Sequence, residues 1–331
     1  MQDPVLDALD RAVVNALQIH PRGSWTQIAS VLGSDPVTVA RRWERLHSAG
    51  LVWVTAYPAG VQLMPAALVE IESDGRSLAH VEQLMSDEEY LTIEVVSGSR
   101  DLLVHVNAAD DAALTDYILV RIAALPSLRG IRTHLISTVY KEAAQWRLNV
   151  LGEQQSARLA TMAPPKRWPV ERAPLAPVEI AVAEALREDG RMKSTDIAER
   201  AGIPVRRARD IVTNLLATGW VVLRTDMGRV VAGHPVGCWY FLRVPAPGLE
   251  RTAAQIVAMP ETRAVLGTTG PHNLMVSVWQ PQLTDVARLE AAFEAIPGVR
   301  VMDRCVSLRA IKRAGVRLDV SGFRTTPVPQ R

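Results

Sequence analysis

The feature that most limits how this chain can fold is an internal duplication. Landmarks of the first half return at an offset of 169 residues: Leu17 is answered by Leu186, Arg22 by Arg191, Gly33 by Gly202 and Gly50 by Gly219. A period of that length copies whole domains, not a solenoid unit, so any fold assigned to one half must serve for the other. At 331 residues and 48% hydrophobic, the chain can build the several cores that two copies require.

Each copy opens on short helices. In Ser34–Gly50, SDPVTVARRWERLHSAG, Asp35 can accept from free backbone N–H groups, Pro36 suits a first turn, and Gly50 supplies the stop. At roughly 100° per residue, Val39, Trp43 and Leu46 share one sector. Val37, Thr38, Arg41, Glu44 and Arg45 point away, with Arg42 on the flank. Such a face alone suits a solvated helix. Upstream, however, SWTQIASVL sets Ile28, Ala29 and Leu32 at core spacing, and Gly33 joins the two segments. Two short helices on a glycine turn form a helix-turn-helix, whose second helix is suited to a major groove. An earlier helix over Pro4–Gln18, carrying Leu6, Leu9, Val13, Val14 and Leu17, and the strand LVWVTAY complete a winged unit. In the second copy, PVRRARDIVTNLL, Ala208, Val212 and Leu215 turn inward while Arg206, Arg207, Asp210, Thr213 and Asn214 face out. Asp210 stands where Arg41 stood, so the two heads are expected to read bases differently.

A strand at Ala67–Glu72, a helix at Ser77–Met85, strands at Tyr90–Val96 and Asp101–Asn107, a helix at Ala112–Leu125 and a strand at Arg132–Tyr140 follow. The order β-α-β-β-α-β is that of a ferredoxin-like module. It returns with Gly98, Asp101 and Lys141 answered by Gly270, Asn273 and Lys312. The expected fold class is α+β: two winged helix-turn-helix domains (1–57 and 177–232) and two ferredoxin-like domains (62–145 and 236–315) in tandem, forming an intrachain pseudo-dimer. A linker rich in proline is expected over 146–176, with Trp146 and Trp168 as residues that could pack, and a tail over 316–331.

Several function classes are excluded by composition and motif. The net charge of +2 exerts no global pull on nucleic acid, so any basic surface must be local. Cys238 and Cys305, the only cysteines, have no neighbouring ligands and read as buried, reduced thiols. Asp3, Asp7 and Asp10 stand where a signal peptide would be basic, which points to the cytoplasm. Leu51–Val69 is uncharged but broken by Pro58, Gly60, Gln62 and Pro65, so two strands with a turn are expected instead of a membrane span. There is no phosphate loop, no GxSxG and no HExxH, and the seven histidines are scattered. No metal and no cofactor are expected.

Taken together, LDALDRAVVNALQ, IASVLGSDPVTVARRWERLHSAGLV, VVSGSRDLLVHV and PSLRGIRTHLISTVYK, with EDGRMKSTDIAERAGIPVRRARDIVTNLLATGW and TTGPHNLMVSVW in the second half, resemble the Lrp/AsnC (leucine-responsive regulator) family. The wording near LQIHPR and TVARRW is similar to double-length members found in actinomycetes. The resemblance implies transcriptional regulation: winged heads that bind double-stranded DNA, RAM-type modules that sense a small molecule such as an amino acid, and self-association of fused pseudo-dimers. Carried over by position, Pro36, Val37, Thr38, Arg41, Arg42 and Arg45 would meet DNA in one head. Arg206, Arg207, Arg209 and Asn214 would do so in the other. The effector would sit at Gly98, Ser99, Arg100 and Asp101, and at Gly270, His272 and Asn273, where Arg100 could clamp a carboxylate. Siroheme decarboxylases are built from the same fused modules, and in that rival reading Arg100, His105, His134 and His272 would approach a tetrapyrrole. The Asn-Tyr-x-Arg run of those enzymes is missing, which favours a regulator that is not an enzyme. A third reading is a partner-binding protein whose second head has lost its hold on DNA.

Overall fold

The structure, a computed structural model, describes residues 6–58, 64–74, 81, 84, 92–126, 128–164 and 175–325. Two compact units emerge, and each takes one piece from either half of the chain: Met1–Val61 with Arg147–Met227, and Gln62–Trp146 with Gly228–Arg331.

The first unit pairs the two helical heads. In head one, α1 (Ala8–Ile19), α2 (Trp25–Leu32) and α3 (Pro36–Ser48) bury Val13, Val14, Leu17, Ile28, Val39 and Leu46, with Trp43 close behind. Each fully buried aliphatic contributes about 1.5–3 kcal/mol. The first helix starts later than expected, at Ala8, because Asp7 and Asp10 form a reciprocal capping box. Gly33 ends α2 at φ 65°, a left-handed conformation that glycine adopts without steric cost. The equivalent helices of head two bury Val182, Leu186, Ile197, Ala208, Val212 and Leu215.

What joins the heads is a strand from each. β1 (Val52–Pro58) pairs antiparallel with β6 (Val221–Met227), with Val54 opposite Thr225. Ala56 of β1 enters the core of head two. Reciprocal arginines tie the same seam: Arg22 donates to the carbonyls of Gly190 (2.7 Å) and Met192 (3.2 Å), while Arg191 donates to those of Pro21 (2.5 Å) and Gly23 (3.1 Å). The hydroxyls of Thr55 and Thr225 bond to the carbonyls of Arg187 and Leu17 in the same crossed fashion. Arg191 also lies 3.9 Å above the ring of Trp25, a cation–π contact without a counterpart at Arg22, since Ser194 replaces the tryptophan.

The segment expected as a linker is not one throughout. Glu153–Met162 forms α5, which follows α4 (Asp111–Asp116), and Leu159 is buried. Gln155 and Arg158 donate to the carbonyls of Val31 and Ser30, and Asn15 accepts from the backbone of Val150 and Leu151. Residues 165–174, with Trp168, lie outside the described residues, as do the turn expected at 59–63 and most of the helix expected at Ser77–Met85, of which Val81 and Leu84 are buried.

The second unit is the pair of ferredoxin-like modules. The first contributes β2 (Ala66–Ser73), β3 (Thr92–Val96), β4 (Leu102–Asn107) and β5 (Leu128–Lys141). The second contributes β7 (Val236–Arg243), β8 (Thr262–Thr268), β9 (Leu274–Gln280) and β10 (Arg300–Arg313). The pseudo-dimer expected within one chain is joined through strand edges. β5 pairs with β8 and β10 pairs with β3, so eight antiparallel strands close on themselves and shield those edges. Leu68, Leu103, Phe241, Met275 and Cys305 fill the space between the sheets, and both cysteines are buried and free. The tail also begins folded: Val316–Arg317 pairs with β10, and Leu318 is buried.

Candidate nucleic-acid interface and effector turns

On head one, Asp35 caps α3 by accepting from Val37 N at 2.9 Å and Thr38 N at 3.0 Å. This fixes the helix start on which Pro36, Val37 and Thr38 stand, and Val37 is 74% exposed. Arg41 is exposed and makes no ion pair among the described residues. The other two arginines differ from expectation. Arg42 is ion-paired with Asp7 and, at 2.9 Å, with Asp10, whose second oxygen holds Arg45 at 2.5 Å. Both therefore brace α3 against α1. Hydrogen bonds from Asp10 and Arg42 pull the Asp7 carboxyl below its ordinary value, and the two carboxylates raise Arg42.

On head two, α6 (Pro177–Glu188), α7 (Ser194–Ala201) and α8 (Val205–Ala217) set out the second candidate face. Arg206, Arg207, Arg209 and Asn214 are all exposed, and none of the three arginines has an ion pair among the described residues. The free cationic charge on the two candidate helices, α3 and α8, is thus weighted toward the second copy.

The candidate effector turns behave alike in backbone and differently in side chain. Gly98 (φ 99°) and Gly270 (φ 104°) both occupy left-handed space, as a tight strand-turn-strand demands. Each turn docks on the last strand of the other module: Ser97 exchanges bonds with Val306, and Thr269 with Leu135. Arg100 does not project toward solvent to clamp a ligand. It is 5% exposed, its Nε is 2.6 Å from Glu70 Oε2, it pairs with Asp303, and its guanidinium lies 4.3 Å from the Phe241 ring centre. Asp101 is occupied by the backbone and hydroxyl of Ser73, and Asn273 grips both backbone polar groups of Val244 at 2.8 Å. These two residues hold the turns' shape.

Around Arg100 the two turns converge. His134 Nε2 lies 2.6 Å from Glu70 Oε1, and the rings of His134 and His272 are 5.7 Å apart. Burial pushes the Glu70 carboxyl up, but the His134 hydrogen bond and the Arg100 charge outweigh it and hold the carboxyl below its ordinary value. Burial and the neighbouring His134 lower His272. Arg100 Nη1, His134 Nδ1 and His272 Nδ1 are buried without hydrogen-bond partners among the described residues. His105, from the rival reading, is on β4, where it and His134 flank Leu68 of β2 from either side, and burial lowers it to about 4. Glu70, Phe241 and Asp303 were missed by sequence reasoning, since no local motif joins them to Arg100. Arg22 and Arg191 were visible as repeat mates, which is the signal that could have marked them as seam residues.

Fold and turns together define a helix-turn-helix protein with paired ferredoxin-like ligand-domain modules. Residues 6–47 match the AsnC-type helix-turn-helix domain, and residues 66–146 match the Lrp/AsnC ligand binding domain. These stretches of the chain carry the two domains of the Lrp/AsnC family, and helices and strands in the same order return in the second half. The chain is 26% identical over 142 residues to an HTH-type transcriptional regulator of Pyrococcus abyssi, covering 41% of this chain and 89% of that one. To the HTH-type transcriptional regulator AldR of Mycolicibacterium smegmatis it is 24% identical over 138 residues, covering 40% and 81%. Among solved structures, the siroheme decarboxylase NirDL superposes with a TM-score of 0.60 at 11% identity, covering 96% of this chain and 94% of that one, a likeness of fold.

Proposed function

We infer that this protein is a ligand-responsive transcriptional regulator that binds duplex operator through two helix-turn-helix heads carried on one chain. The observation that carries the reading is the β1–β6 seam, which holds two heads in one unit while leaving the faces of α3 and α8 exposed. Pro36, Val37, Thr38 and Arg41 serve one half-site; Arg206, Arg207, Arg209 and Asn214 serve the other. Arg42 and Arg45 orient α3 and touch phosphate only if their carboxylate partners yield. The effector acts where the two turns converge, and an amino acid suits the mixed charge there. No helix among the described residues is long and apolar enough to cross a membrane, which fits work on DNA in the cytoplasm. Leu119 (68% exposed) and Val120 (60%) offer an apolar surface for self-association.

The test is a mobility shift on duplexes selected from a random pool. Replacing Arg206, Arg207 and Arg209 together by Ala should weaken binding and flatten its dependence on salt, by a slope of roughly 0.9 for each phosphate no longer neutralised. An unchanged titration removes these residues from the interface, and a wild-type chain that selects no duplex removes the reading itself.

A second reading has one specific observation behind it. Arg100, His134 and His272, three of the four residues assigned to a tetrapyrrole, converge. Absorbance of the protein incubated with siroheme distinguishes it: an unchanged spectrum leaves the regulator alone.

A further inference from the structure

Between the heads, inside the first unit, is a cleft of about 280 Å³. It is lined by His20, Arg22 and Arg147 together with apolar residues that include Ala163, Leu216 and Leu223. The volume is just below the ~300–1,000 Å³ common for organic ligands, so it suits a small metabolite.

Charge is unbalanced there. Arg22 commits its two terminal nitrogens to backbone carbonyls, and Arg191 beside it does the same. Asp189 is the acidic residue that acts on this arginine pair. Arg147 is half-buried with neither hydrogen bond nor ion pair among the described residues, and desolvation lowers its pKa. His20 is 6% exposed and also makes no side-chain hydrogen bond among the described residues; burial, and then the charge of Arg191, lower its pKa, which favours the neutral ring. A guanidinium removed from water without a partner is costly, and an incoming anion relieves that cost.

We propose that this cleft is a ligand site, distinct from the effector turns, that binds a small monocarboxylate with a compact apolar body. One unpaired guanidinium matches one carboxylate, with two parallel N–H donors for two oxygens. A phosphate carries close to two negative charges at neutral pH, and Arg147 alone would balance only one of them. Neutral His20 provides a further polar contact, and the leucines take the apolar part. The cleft is walled by the turn after α1 of head one, by α5, and by the end of α8 with β6 of head two. A bound acid therefore touches both heads at their seam, and it needs no signal from the ligand modules to do so.

Titration calorimetry of the full chain with 4-methylpentanoate, benzoate and butanoate tests the site, with the matching neutral amides as controls. Saturable binding of at least one acid is expected, with its amide silent. Arg147→Gln should weaken that binding at least tenfold. Ala163→Phe, which fills the cleft and leaves Arg147 in place, should abolish it while the melting profile is kept. Absence of saturable binding by all three acids below 10 mM (a ceiling of about 2.7 kcal/mol) overturns the proposal. So does binding that survives Arg147→Gln but is lost on Asp101→Asn, which would place the acid at the turns.

Discussion

Asp10 illustrates how much one buried residue can decide. At 1% exposure it caps α1 and receives both Arg42 and Arg45. Asp10→Asn keeps the shape but withdraws the charge from two arginines. It should cost about 1–3 kcal/mol of stability by denaturant unfolding, because hydrogen bonds to charged groups are the stronger kind. A loss below 0.5 kcal/mol (roughly the spread of ordinary surface substitutions) would mean the bracing is decorative. His20 makes a prediction about pH. A base whose pKa is lowered by folding contributes stability in full above its unfolded value near 6.5, and that contribution is lost as pH falls through the window below it. The gap in unfolding midpoint between wild type and His20→Gln should therefore change between pH 7 and pH 5; a constant gap contradicts burial of the neutral ring. The inward residues Val39, Trp43 and Leu46 were legible because a period of 3.6 is a local property. The engagement of Arg42 and Arg45 was not, since their partners lie on another helix, and helix geometry names a face without naming what meets it.

At the scale of elements, the glycines separate conformational cost from crowding. Gly33 and Gly202 have positive φ and open space around the missing Cβ. Either one changed to Ala should lose about 1–2 kcal/mol from backbone strain alone. Gly190 has no such φ, yet an added Cβ would come within 2.5 Å of Val54 Cγ1 on β1. Gly190→Ala should loosen the β1–β6 pair, read as faster amide exchange at Val54 and Thr225, with the helices of each head still protected. Unaltered exchange at the seam would show that the strands yield easily. The strands themselves could be read from alternation and β-branched residues. Their partners could not: β1 seeks β6 across the full length of the repeat, and β5 seeks β8 across more than a hundred residues, a choice made by edges and not by composition. For the same reason α5 escaped notice inside a segment whose prolines advertised a linker.

The molecule as a whole is two copies that exchange parts. Arginines, threonines and strands cross between heads, and turns cross between modules, so neither copy completes its structure alone. Duplication of the landmarks revealed that there were two of everything. Asp210 in place of Arg41 foretold unlike heads; it did not foretell that Arg42 and Arg45 are held by carboxylates while Arg206, Arg207 and Arg209 make no ion pair among the described residues, or that Arg100 and His272 meet in one mixed-charge cluster between the turns. The measurement that reaches the central claim most directly is hydroxyl-radical footprinting of the full chain on a duplex recovered by genome-wide immunoprecipitation. Protection of two stretches of backbone flanking successive major grooves by a single chain is expected, about one helical turn or a multiple of it apart, with unequal sequences. Protection of one segment only, or two that vanish together when Arg206, Arg207 and Arg209 are intact and only Arg41 is replaced, would contradict a pair of heads with separate reading faces.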